Sequence, residues 1–92
     1  MVYEVPDNNQ IGELLRLAVS QVLHNESMIV VKTRPGLADF VGDYLDVRED
    51  CGILATLAGE NVVFISPVSV ANISKTYRDV CKALSYKHGV EV

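Results

Sequence analysis

The chain has 92 residues, with Lys+Arg 8 against Asp+Glu 12, a formal net charge of −4, 49% apolar residues and 22% charged ones. Such a length suits one domain, and the composition is globular rather than disordered. The acidic balance argues against this chain alone gripping nucleic-acid phosphates, no apolar run approaches the roughly 18 residues of a membrane span, and no signal-peptide pattern follows Met1, so a cytoplasmic protein is expected.

A domain this small buries only about 60–65% of its unfolded surface. Cys51 and Cys81 fit no metal-ligand spacing and read as small buried apolar residues. Self-association is then the remaining route to more buried area, and a homo-oligomer is expected.

Residues 1–10 are polar, with Pro6, Asp7, Asn8 and Asn9 in succession, and read as a linker or N-terminal arm ahead of a domain at 11–92. Residues 11–24 carry two patterns. Ile11, Leu14, Leu15, Ala18, Val19 and Val22 form a helical stripe, whereas Leu15, Leu17, Val19 and Leu23 alternate as in a half-buried strand. The next segment, Met28-Ile29-Val30-Val31-Lys32-Thr33, is β-branched and of strand length after the polar turn His24-Asn25-Glu26-Ser27. Such a strand needs a partner. A hairpin partner beginning near Arg16, after at most a helical turn, is therefore expected.

Pro35-Gly36 breaks the chain and opens a helix to about Val47, with Leu37, Val41, Tyr44 and Leu45 as its apolar face. Gly42 weakens this helix by about 1 kcal/mol relative to Ala unless close packing uses the missing side chain. Two strands follow, at residues 53–58 and 62–66, joined by the tight turn Gly59-Glu60-Asn61. In the last helix Ile73, Tyr77, Val80, Cys81 and Leu84 keep helical spacing, Asn72 is the expected N-cap, and Lys87-His88-Gly89 is a stop signal. The order β-β-α-β-β-α predicts an α+β two-layer sandwich, a four-stranded antiparallel sheet with two helices on one face.

No catalytic constellation is present, and no enzyme is expected. His24 and His88 read as solvated, and no phosphate loop, paired-histidine motif or nucleophile elbow occurs. Gly36 is either a structural turn or part of an anion-receiving helix start. Asp39 and Asp46 lie two helical turns apart, and Glu60 sits in the second hairpin turn. They form either a solvated acidic surface or, at an oligomer interface, a site where a guanidinium or ammonium would relieve their repulsion.

Thr33-Arg34-Pro35-Gly36-Leu37-Ala38, then Asp46, then Gly52-Ile53-Leu54-Ala55-Thr56-Leu57-Ala58-Gly59-Glu60-Asn61, resembles the C-terminal domain of bacterial arginine repressors. That family shows T-x-P-G-x-A, an aspartate ending the helix, and G-T-I-A-G-D-D-T. The opening Val2-Tyr3-Glu4-Val5-Pro6 is similar to the end of its interdomain linker. The resemblance spans essentially the whole chain. It implies a homotrimer pairing into a hexamer, L-arginine bound between trimers as corepressor, and no other cofactor. It also implies operator DNA gripped by a winged helix that this chain does not contain, in the control of arginine metabolism. Carried over residue by residue, the ligand site would use Asp39 and Asp46 from the first helix, Thr56, Ala58 and Gly59 from the third strand, and Glu60 and Asn61 from the turn. Glu60 would take the ligand's cationic end.

The sequence departs from the pattern at several of these positions. Glu60 and Asn61 replace the paired aspartates, Val62 the following threonine, and Ala55 the first glycine, while Asp39 stands where Gln is common. Asn61 lacks the charge and presents amide donors in place of acceptors. Breaking one side of a buried charge pair costs about 3–5 kcal/mol. A constitutive oligomerisation module with a lost or changed arginine response is therefore the competing expectation.

Overall fold

The computed structural model describes residues 8–86. Helix α1 spans Asn8–Ala18, strands β1 and β2 span Val19–His24 and Ile29–Thr33, and helix α2 spans Ala38–Asp46. Strands β3 (Ile53–Ala58) and β4 (Val62–Pro67) follow, then a 3-10 turn at Val70–Asn72 and helix α3 at Ile73–Ala83. All pairings are antiparallel, in the order β1-β2-β4-β3. The expected α+β sheet and element order are present, with one helix added at the N-terminal side.

That added helix corrects the reading of residues 11–24. The helical stripe is real as far as Ala18, where Leu15 and Ala18 are buried, and the strand begins at Val19 rather than near Arg16. The two patterns share residues because the helix hands over to the strand inside the stripe. Residues 8–10, read as the end of a polar arm, already belong to α1. Residues 1–7, with the remainder of that arm, and the stop signal at 87–89 lie outside the described residues.

One face of the sheet makes the core. Val22, Ile29, Val31, Val63 and Ile65 meet Leu15 of α1, Val41 and Leu45 of α2, Val80 of α3 and Leu84 just past its end, all at most 1% exposed. The five apolar positions expected on the last helix are all buried. Tyr77 donates its hydroxyl proton to the Val22 carbonyl at 3.0 Å, pinning α3 to the outer strand β1. Asn72 does occupy the N-cap of α3, but its side chain makes no capping bond. Helix α3 ends at Ala83, with Ser85 at φ 58° closing it, before the expected stop signal. Cys51 and Cys81 are buried free thiols.

Among the described residues, no helix covers the opposite face. Register places Leu23 beside Val30, Val30 beside Phe64, and Phe64 beside Leu57, one apolar row across all four strands. Leu23, Phe64 and Leu57 are 40%, 42% and 70% exposed.

Candidate functional site

Helix α2 lies over β3 and β4, and Gly42 is where it comes closest. A Cβ on Gly42 would stand 3.6 Å from the Ala58 Cβ and 4.0 Å from Thr56 Oγ1. The glycine thus seats the helix directly on two of the expected site residues. One turn later Asp46 Oδ1 accepts the Thr56 hydroxyl proton at 2.6 Å. That bond fixes one carboxylate oxygen and commits the Thr56 donor to it. Asp39 stands two turns before Asp46 on the same helix, about 10 Å along its axis, exposed in the first turn.

The turn at residues 59–61 is held partly by its own strands and partly from outside. Gly59 N–H donates to the Val62 carbonyl at 2.7 Å, closing the hairpin. The Glu60 carbonyl accepts from Gly36 N–H, and the Asn61 carbonyl accepts from Thr33 N–H, each at 2.9 Å. Both carbonyls are therefore occupied, while the side chains of Glu60 and Asn61 remain exposed. Gly36 has φ +84°, the left-handed region that glycine enters without strain. Its N–H is committed to the turn, so Gly36 acts as a structural turn and not as an anion donor.

Asp39, Asp46 and Glu60 form no ion pair with any described residue; the pairs present are Glu13–Arg16, Arg48–Asp50 and Lys75–Asp79. Asp43 of α2 is also exposed and forms no ion pair with any described residue, so α2 presents three such carboxylates. Beyond the far end of α2, the Arg48 guanidinium bonds Asp50 at 3.2 Å and holds its carboxyl below the usual range. No group of three or more metal-binding side chains occurs among the described residues.

Next to Asp39, the neighbouring Leu37 and Phe40 join Leu14, Leu17, Ala18 and Arg34 in an open apolar groove of about 620 Å³ between α1 and α2. Thr33 and Arg34 carry no functional signal of their own in the sequence, whereas Gly36 stands out as a turn. All three donate backbone N–H groups, to the carbonyls of Asn61, Ala18 and Glu60 respectively, and these leave no signature in the sequence beyond the glycine itself.

Residues 15–82 match the family described as Arginine repressor, C-terminal domain. An arginine repressor of Chlorobium limicola is 40% identical over 77 residues, covering 84% of this chain and 52% of the relative. One from Shewanella sediminis is 41% identical over 88 residues, covering 91% and 56%. One from Chlamydia caviae is 35% identical over 78 residues, covering 85% and 52%. The chain spans about half the length of the curated relatives it matches. Those relatives are named as repressors, not as enzymes.

Proposed function

The chain belongs to the arginine repressor family, by its C-terminal domain, and from that premise we propose that it is the oligomerisation and corepressor-binding part of a transcriptional regulator of arginine metabolism. The observation that carries this is the uncovered apolar row Leu23, Val30, Phe64 and Leu57 across the sheet. An exposed apolar row that crosses all four strands favours a second layer on the open side, and copies of the same chain supply it. Trimers built this way would meet through the side that bears Asp39, Asp46, Glu60 and Asn61. Bringing such carboxylates together is unfavourable until a cation enters, and the guanidinium of L-arginine is a planar donor fork suited to carboxylate oxygens.

In this reading Thr56 holds Asp46 in place, Ala58 forms the floor beside Gly42, Gly59 opens the turn, and Glu60 meets the guanidinium. L-arginine bound between trimers stabilises the hexamer by its differential affinity for it. The hexamer raises operator avidity through winged-helix domains that lie outside this sequence. Asn61 supports a second reading, because an amide there removes a negative charge and lets the assembly close without ligand.

Sedimentation equilibrium at several protein concentrations, with and without millimolar L-arginine, tests both. A trimer that becomes a hexamer only with L-arginine supports the corepressor reading. A hexamer indifferent to L-arginine supports the constitutive module. A monomer under both conditions overturns both.

A further inference from the structure

Resting on that reading of the turn at 59–61, we infer that Arg34 is a positioning residue: it ties the turn presenting Glu60 and Asn61 to the C-terminal end of α1. Arg34 reaches α1 twice. Its backbone N–H donates to the Ala18 carbonyl at 2.9 Å, and its Nε donates to the Leu17 carbonyl at 2.6 Å. These are the last two residues of α1, whose carbonyls have no partner inside the helix. A guanidinium there also meets the negative end of the helix dipole.

The residues on either side of Arg34 hold the other party. Thr33 N–H takes the Asn61 carbonyl and Gly36 N–H takes the Glu60 carbonyl. The segment between them has little freedom left. Pro35 fixes its own φ, Gly36 is left-handed at +84°, Leu37 N–H returns to the Arg34 carbonyl at 3.1 Å, and the Thr33 hydroxyl donates to that same carbonyl at 2.9 Å. A displacement of the turn therefore moves the segment as a unit and pulls on α1. Energetic coupling of this kind is reciprocal, so a change at α1 is felt by Glu60 and Asn61.

The test is residue-level amide hydrogen exchange on the whole chain without ligand, for wild type and for Arg34→Ala, Arg34→Gln and Arg34→Lys. Rates are read relative to core amides such as Val31, so a general loss of stability cancels. With Arg34→Ala, exchange at the Thr33 and Gly36 amides rises about tenfold, the scale of one lost charge-assisted hydrogen bond. The Ser27 and Met28 amides, held in the other turn by Asn25, stay unchanged. Arg34→Gln gives the same pattern more weakly should Arg34→Ala fail to fold, and Arg34→Lys restores most of the protection. If Thr33 and Gly36 keep their protection while only the Arg34 amide and the last turn of α1 lose it, Arg34 is merely a helix cap and the inference is overturned. Calorimetric titration with L-arginine separates this from the reading it rests on. Wild type that binds no L-arginine removes the corepressor reading, while the exchange pattern still decides for or against the tie. Where wild type binds, Arg34→Ala weakens affinity about tenfold, and unchanged affinity counts against the inference.

Discussion

The two faces of the sheet are built from the same residue types and meet opposite fates. Ile29, Val31, Val63 and Ile65 point toward three helices and are wholly buried, whereas Leu23, Val30, Phe64 and Leu57 alternate with them and face outward. Strand alternation alone would make the outer positions polar in a sheet with one solvated face. Here an apolar row crosses the outer face, with Gln21, Lys32 and Ser66 at its margin, so the chain is patterned for a sheet whose outer face is covered along that row. Its helices cover one side, and the proposed assembly covers the other.

The largest effect separates the faces by what each supports. Ile65→Ala removes a fully buried side chain and costs about 2–5 kcal/mol of folding stability, measured by urea denaturation. Phe64→Ser, next to it in the strand, leaves the folded domain within about 1 kcal/mol but lowers the sedimentation mass. A variant at Phe64 that keeps the wild-type mass removes the open face as the contact between copies. Leu57→Ser, on the edge strand, shifts the mass in the same direction.

The comparison also shows what sequence reading could reach. Strands β3 and β4 and the buried stripe of α3 were legible because short β-branched runs flanked a Gly-Glu-Asn turn and a helical period stood alone. The α1–β1 junction was not, since Leu15 and Val19 fit a helical stripe and a strand alternation at once. The site residues came from a family resemblance, but their geometry came only with the fold. Nothing in the letters says that Thr56 bonds Asp46 across ten residues of sequence. Nor could spacing show that the two turns differ in kind. Asn25 closes the first hairpin through its own Oδ1, bonded to the Ser27 and Met28 amides at 2.8 Å each, while the turn at 59–61 adds to its own Gly59–Val62 bond a hold from residues 33 and 36.

That difference predicts a smaller, local effect. Gly36→Ala has open space around the added methyl but must hold φ near +84°, so it costs about 1–2 kcal/mol through the backbone alone. The loss should loosen residues 59–61 and lower L-arginine affinity beyond what stability explains. An equal loss at Asn25, through Asn25→Ala, should leave ligand and mass untouched. Equal ligand effects from the two variants would erase the distinction between the turns.

The covered side also holds both thiols. Burial pushes Cys51 and Cys81 above the ordinary thiol value of 9.0, which favours their neutral forms in the folded state. The resulting stability is complete below the unfolded value and is lost as pH rises above about 9. Denaturation midpoints should fall as pH rises above about 9, and a variant with both cysteines changed to Ala should fall less steeply. Alkylation at pH 8 should be slow until urea opens the domain.

The smallest expected change runs the other way and bears on both the fold and the site. Gly42→Ala places a methyl 3.6 Å from the Ala58 Cβ and 3.9 Å from Val63 Cγ1, ordinary contact that needs no rearrangement. Helix propensity then favours the variant by up to about 1 kcal/mol, visible as a higher denaturation midpoint. The same methyl lies 4.0 Å from Thr56 Oγ1, the hydroxyl that holds Asp46. With no rearrangement required, Asp46 keeps its bond to Thr56, so the domain should gain stability while any L-arginine affinity stays at the wild-type level. A fall in affinity alongside the gain in stability would instead mean that the close approach at Gly42 is set for the ligand rather than for the fold.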